Sequence, residues 1–194
     1  MEQRTTTLTD PDSARGKLLQ AAAELFRTKG YDRTTVRDIA NAVGILSGSI
    51  FHHFKTKDDI LGAVMEESVN SLLVRMESAL ATIDTPVARL RAMIRCELES
   101  IQGENGHALA VLVYEWRSLS PENQQKLLHI REAYEQLWLT EFTGATEHLK
   151  PGIEPFVLRR FLSGSLYWTT YWYKESGALT ISDLTEMALK LILK

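Results

Sequence analysis

Two sets of side chains in this sequence have the types and spacing to do chemistry. The first lies between residues 34 and 57: Thr34, Thr35, Arg37, Ser47, Gly48, Ser49, Phe51, His52, His53 and Lys57. Ser47, Ser49, His52 and His53 would face outward from one short helix, where small hydroxyls and imidazoles can enter a major groove and reach base edges or phosphates. Gly48 removes bulk where such a helix and a backbone approach closely. Lys57, at the start of the following helix, is placed to meet a phosphate with help from the helix dipole. Two adjacent histidines also raise the question of a metal. Neighbours on a helix point about 100° apart and no third ligand is spaced nearby, so no metal site is expected.

The second set is aromatic and lies in the C-terminal half. It comprises Tyr114, Trp116, Tyr134, Trp138, Tyr167, Trp168, Tyr171 and Trp172, interspersed with Arg95, Arg117 and Arg131. All four tryptophans of the chain belong to it. Tyr167/Tyr171 and Trp168/Trp172 are i, i+4 pairs on adjacent faces of one helix. Any one of these aromatics suits ordinary core or subunit packing, but the cluster as a group suits a pocket for an apolar small molecule. Catalysis finds no support: there is no Walker loop, GxSxG, HExxH or CxxC, and Gly103-x-x-Gly106 is too short to cradle a phosphate. No enzyme activity and no cofactor are expected.

The elements that must position these residues read as helices throughout. A helix from about Ser13 to Lys29 puts Leu18, Leu19, Ala22, Leu25 and Phe26 on one face, with Gly30 just past its end. Thr35-Val36-Arg37-Asp38 reads as a capping box opening a short helix to Val43, stopped by Gly44. A second short helix spans about Ser47 to His53. Thr56 and Asp59 cap a long one reaching Leu80. Further helices are expected over 87–101, 107–117, 120–142, 154–174 and 182–193. No segment alternates with period two for long. The fold class is therefore all-α, with about nine helices. Two short helices joined by a glycine-containing turn form a helix-turn-helix unit, with Val36, Ile39, Ala40 and Val43 facing Ile50, Phe54, Ile60 and Leu61. The expected organisation is a disordered arm over 1–12, a helix-turn-helix domain over 13–60, and a helical ligand-binding and dimerisation domain over 61–194.

Charge distribution agrees with a nucleic-acid partner at one end. The 194-residue chain carries a net charge of −3. Between Ser13 and Lys57, however, eight Lys/Arg face three acids, giving +5 there and leaving −8 elsewhere. That asymmetry is expected where only one end meets a polyanion. No run of about 18 uncharged apolar residues is present, the N-terminus lacks the apolar stretch of a signal peptide, and the lone Cys96 excludes an internal disulfide framework. A cytoplasmic protein, associated with the bacterial nucleoid and free of membranes, is the expectation.

The stretch AAAELFRTKGYDRTTVRDIANAVGILSGSIFHHFKTKDDIL closely resembles the DNA-binding region of the TetR family of bacterial transcriptional regulators. The landmarks are Ala23, Phe26, Gly30, Tyr31, Thr34, Thr35, Ile39, Ala40, Gly44, Gly48, His53, Phe54, Lys57 and Leu61. The resemblance implies a homodimer, paired through its last two long helices, that reads an inverted-repeat operator and is released when a small molecule binds the C-terminal body. The match has two departures. Leu46-Ser47 stand where the family often carries Ser followed by a basic residue or Pro. Phe51 replaces a usual Tyr whose hydroxyl donates to a phosphate. A second resemblance covers Tyr114–Glu122, Arg131-x-x-Tyr134-Glu135 and Gly164–Tyr173. It looks like the branch of regulators of fatty-acid and steroid-ring catabolism that respond to acyl-CoA thioesters. The implied ligand would place its acyl chain among the aromatics and its phosphates on arginines, with Arg95, Arg117, Arg131, Arg159 and Arg160 as candidates. A free aromatic or drug-like apolar effector is the other reading. An all-α protein-interaction module without DNA binding stands as the alternative to the whole.

Overall fold

A computed structural model of the chain describes residues 8–103, 111 and 115–194. Among them are eight α-helices and two 3-10 turns, and their only β pairing is an isolated bridge between Leu149 and Leu193. The expected helix over 107–117 falls mostly outside the described residues. Its end is a 3-10 turn, Trp116–Ser118.

Local chemistry accounts for where each N-terminal helix starts and stops. Helix α1 is Ala14–Lys29; the Ser13 hydroxyl accepts from the Gly16 amide, and Gly30, at φ 84°, ends it by donating its N–H to the Phe26 carbonyl. Its buried side is Gly16, Leu18, Leu19, Ala22, Ala23 and Phe26, the i, i+3, i+4 set of one helical face. Helix α2 is Val36–Val43, opened by a reciprocal capping box between Thr35 and Asp38 and closed by the left-handed Gly44. Helix α3, Ser47–Ile50, is shorter than its expected reach to His53. Residues 51–53 continue it only as turns, and no side chain caps its start. Helix α4 is Lys57–Leu80, with Thr56 and Asp59 bonding each other's backbone amides at 3.0 Å.

Helix α5 is Pro86–Gln102, α6 is Pro121–Gly144, α7 is Pro155–Trp172 and α8 is Ile181–Ile192. Proline opens α5, α6 and α7, where its missing N–H costs nothing. A Thr180–Asp183 capping box opens α8.

The chain divides into two compact units, Met1–Ser71 with Glu104–Arg131 and Leu72–Gly103 with Glu132–Lys194. Helices α4 and α6 contribute residues to both. In the first unit, α2 packs against both α1 and α3. Its core includes Phe26, Ile39, Ala40, Ile50, Phe54, Ile60 and Leu61, as the hydrophobic pattern required. The expected disordered arm falls mostly outside the described residues; within 8–12, the Thr9 amide and hydroxyl donate to the two oxygens of Glu67 at 2.9 and 2.8 Å. In the second unit, α5 packs against α7 and α8, and Arg89 grips Glu141 through two 2.7 Å bonds.

Candidate nucleic-acid interface and effector site

The residues of the first set divide by direction. Arg37, Gly48, Phe51, His52 and His53 are exposed, with Ser47 and Ser49 half-buried beside them on α3. Ile50 turns inward and is fully buried, which fixes the rotation of α3 about its axis. A Cβ on Gly48 would meet no atom within 4 Å, so the glycine leaves open space on the outer side. Thr35 is exposed, and its hydroxyl oxygen accepts from the Asp38 amide at 3.1 Å.

Two members of that set are turned to the inside. Thr34 is fully buried, and its hydroxyl donates to the Gly30 carbonyl at 2.8 Å. It closes the α1–α2 turn and cannot reach a nucleic acid from there. Lys57 donates to the carbonyls of Tyr31 and Thr34 at 2.9 and 3.0 Å, with its ammonium 4.0 Å from the centre of the Tyr31 ring. Its charge is spent on the α1–α2 turn, because the Tyr31 and Thr34 carbonyls there lie within reach of the first turn of α4.

The same turn is tied to residues 115–123. The Tyr31 amide donates to Glu115 at 3.0 Å, and Ser118 donates to the other oxygen of that carboxylate at 2.8 Å. Asp58 accepts from the Ser120 amide and hydroxyl at 2.9 and 2.6 Å, and from the Asn123 side chain at 2.6 Å. Burial and the neighbouring Asp58 push the Tyr31 hydroxyl above its ordinary pKa. The sequence reading missed Glu115, Asp58 and Asn123; single carboxylates and amides at such long sequence separation leave no periodic signal.

The aromatic set separates likewise. In the first unit the Arg131 guanidinium lies 4.8 Å over the Trp116 ring, and Gln124 holds the Trp116 carbonyl at 3.1 Å. Arg117 is exposed. Tyr114 lies outside the described residues. In the second unit, Tyr134 and Trp138 are buried around Arg159, which is 1% exposed. Arg159 donates to the Tyr134 hydroxyl at 2.7 Å, and that hydroxyl donates to Glu97 at 2.7 Å. The guanidinium also sits 3.4 Å from Glu97, 3.9 Å from Glu135 and 4.4 Å over the Trp138 ring. Burial works against its charge, but Glu97, Tyr134 and Glu135 outweigh that and hold its pKa above the ordinary value. Burial and the adjacent Glu97 carboxylate push Tyr134 well up, so it stays a neutral donor. The indole N–H of Trp138 and the Nε–H of Arg159 find no hydrogen-bond acceptor among the described residues.

Arg95 is not part of this cluster: it is exposed and paired with Glu99 at 2.7 Å. Trp168, Tyr171 and Trp172 lie on the exposed face of α7 with Phe161, away from the side that buries Arg159, Leu162, Leu166 and Thr169. The Trp168 and Tyr171 rings meet at a tilt of 42° with their centres 4.7 Å apart. Met187 and Leu191 are the exposed apolar residues of α8. Glu97 was also missed, although its position was legible. A glutamate within the apolar stripe Leu90, Met93, Ile94, Leu98 and Ile101 must be paired to be buried.

These features, a packed helix-turn-helix with polar side chains on its outer helix and a separate helical unit with a buried polar cluster, define a DNA-binding regulator. The model for bacterial regulatory proteins of the tetR family matches residues 18–64, and that for the tetracyclin repressor-like C-terminal domain matches 83–194. The chain belongs to the TetR family of transcriptional regulators. The transcriptional repressor KstR2 of Mycolicibacterium smegmatis is 31% identical over 191 residues, 96% of this chain and 92% of that one. The solved structure of KstR2 of Mycobacterium tuberculosis, a ketosteroid transcriptional regulator, has a TM-score of 0.82 at 25% identity and covers 97% of this chain and 100% of its own. A crystal structure of the superantigen pfit is 53% identical with a TM-score of 0.83, covering 96% of this chain and 92% of that one. AibR, solved with isovaleryl coenzyme A and operator DNA, shares the fold at a TM-score of 0.83 and 22% identity, over 93% of this chain and 98% of its own. The protein is thus a regulator and not an enzyme, and the alternative of an interaction module without DNA finds no support. No helix among the described residues is long and apolar enough to cross a membrane.

Proposed function

We propose that this chain is a repressor that binds an inverted-repeat operator as a homodimer, in the cytoplasm at the nucleoid, and is released by an acyl-CoA thioester. The observation that carries the DNA reading is the rotation of α3, which buries Ile50 and leaves Ser47, Ser49, His52 and His53 on the outer side. With Thr35 and Arg37 at the start of α2, these are the residues that meet bases and phosphates. Residues 13–60 form the reading module, and 61–194 form the effector and dimerisation module.

The dimer seam runs along the exposed apolar side of α7 and α8, from Phe161 through Trp168, Tyr171 and Trp172 to Met187 and Leu191. A monomer would span only one half-site, so pairing is required for operator affinity. The effector lies against Tyr134, Trp138 and Tyr167, where the Trp138 indole N–H, without an acceptor among the described residues, is the donor for a carbonyl. The acyl-CoA assignment rests on the resemblance of residues 114–122, 131–135 and 164–173 to acyl-CoA-responsive regulators. The KstR2 relatives and the acyl-CoA held by AibR are consistent with it. Within the second unit, Arg160 is the candidate phosphate holder.

Release is a population shift: the effector must prefer the conformation that does not bind DNA. Helix α6 carries Tyr134 and Trp138, and its first turn holds Asn123 on Asp58, beside the α1–α2 turn. A shift of α6 therefore acts on the reading head through that contact, in parallel with α4. The test is a mobility shift on the chain's own upstream DNA with and without a panel of acyl-CoAs. Loss of the shift with one acyl-CoA supports the whole reading. A shift indifferent to the panel keeps the repressor and removes the acyl-CoA assignment, and no shift removes the repressor.

A further inference from the structure

Leu46 is the most exposed large apolar side chain among the described residues, at 81%. It occupies the N-cap of α3, where a Ser, Thr, Asp or Asn side chain would accept a free amide; here no side-chain cap bond forms. The position thus combines two local costs, an uncapped helix start and an apolar side chain in water, and at 81% exposure the side chain gains little packing among the described residues. Nor is the residue part of a loose loop. Gly44 and Ile45 donate to the carbonyls of Asn41 and Ala40 at 3.2 and 3.0 Å, the Leu46 carbonyl accepts from Ser49 at 2.9 Å, and Ile50 anchors the helix in the core. A leucine is therefore held out on fixed backbone beside Ser47 and Ser49, on the surface that reads DNA.

The major groove offers one apolar group on a base edge, the C5 methyl of thymine. We propose that Leu46 is a specificity-determining residue that packs on a thymine methyl in each operator half-site; the inference rests on the DNA-binding reading above. The polar neighbours then hydrogen-bond the flanking base edges or phosphates, and Leu46 selects thymine by contact alone. The exposed position makes Leu46→Ala a variant that keeps the fold, which its unchanged melting curve checks.

The experiment uses the full chain and the operator fragment identified by mobility shift, with each thymine replaced in turn by uracil, which lacks only the methyl. For the wild type, uracil at one position of a half-site should weaken binding about fourfold, the worth of one buried methyl, and about 15-fold when both half-sites are changed. Leu46→Ala should bind the thymine operator more weakly, ignore uracil at that position, and keep the wild-type salt slope because no phosphate contact is lost. If the wild type is indifferent to uracil at every position, or Leu46→Ala keeps the same uracil sensitivity, the inference is overturned while the repressor reading stands. Absence of any salt-sensitive DNA binding by the wild type overturns the repressor reading and the inference with it.

Discussion

Removing Arg159 tests whether the second unit is organised around a dry charge. In the native chain its guanidinium is 1% exposed and Glu97 is fully buried, with the Tyr134 hydroxyl 2.7 Å from each. Arg159→Met keeps much of the volume but strands the Glu97 carboxylate with a single hydrogen bond. Breaking a buried pair from one side costs about 3–5 kcal/mol, because the remaining charge is uncompensated. Replacing both partners, as Arg159→Met with Glu97→Gln, removes both charges with their desolvation cost while leaving the Tyr134 hydroxyl an acceptor, and should cost about 1 kcal/mol or less. The cycle therefore predicts a coupling of several kcal/mol between the two positions. Urea unfolding at one fixed protein concentration, followed by circular dichroism and tryptophan fluorescence, measures it; the concentration must be matched because dimerisation adds to apparent stability. With a urea slope of about 2 kcal/mol per molar, Arg159→Met should lower the midpoint by more than about 1 M. A single mutant that loses less than about 1 kcal/mol would mean that water reaches the cluster, and would refute the argument. So would a double mutant as unstable as the sum of the singles.

Two further outcomes are expected. The Asp38 carboxyl is held down to about 2 by its hydrogen bond to Lys29 and by the amide and hydroxyl of Thr35. Its folded pKa lies below the unfolded value of about 4, so its stabilisation is complete above that pH and is lost as pH falls towards 2. Asp38→Asn should abolish this part of the acid sensitivity in unfolding curves taken between those limits, and an unchanged pH dependence would count against it. Lys57→Met should destabilise the first unit by about 1–3 kcal/mol, since the Tyr31 and Thr34 carbonyls lose their charged donor. It should also weaken operator binding without changing the salt slope, whereas a slope reduced by about one would show that Lys57 contacts a phosphate.

The sequence was most legible where periodicity and capping act locally. The Thr35–Asp38 box, Gly30 and Gly44 mark helix ends by their own chemistry, and each does so in the structure. Direction was legible for apolar residues, because a face that buries Ile39, Ala40 and Ile50 leaves no choice of rotation. It was not legible for Thr34 and Lys57. A threonine or lysine satisfies a buried carbonyl as readily as a phosphate, and only the path of the chain through Gly30–Thr34 decides between them. The tryptophans show the same ambiguity: Trp138 and Trp168 look alike in sequence, yet one is fully buried against Arg159 and the other is 62% exposed beside Phe161. Pairings such as Tyr31–Glu115 and Glu97–Arg159 join residues tens of positions apart, beyond any local pattern.

These placements bear on how the protein holds DNA. Of the polar donors between residues 34 and 57, Thr34 and Lys57 are committed to building the head, so part of the apparent phosphate-binding capacity serves the scaffold instead. Phe51 has no hydroxyl to donate. Among the described residues, Arg37, Asn41, His52 and His53 are the exposed side chains with nitrogen donors on α2 and the segment from α3 to residue 53, and Lys55 is exposed just beyond them. Affinity that rests on few ionic contacts falls less steeply with salt, and discrimination must then come more from base edges. In such a head a leucine in place of a helix cap exchanges a modest loss of local stability for a contact that tells thymine from the other bases. The alternation of a firmly bonded α1–α2 turn with an uncapped, apolar start to α3 follows from that division of labour: the turn sets where the helix sits, and the helix start is left to the operator.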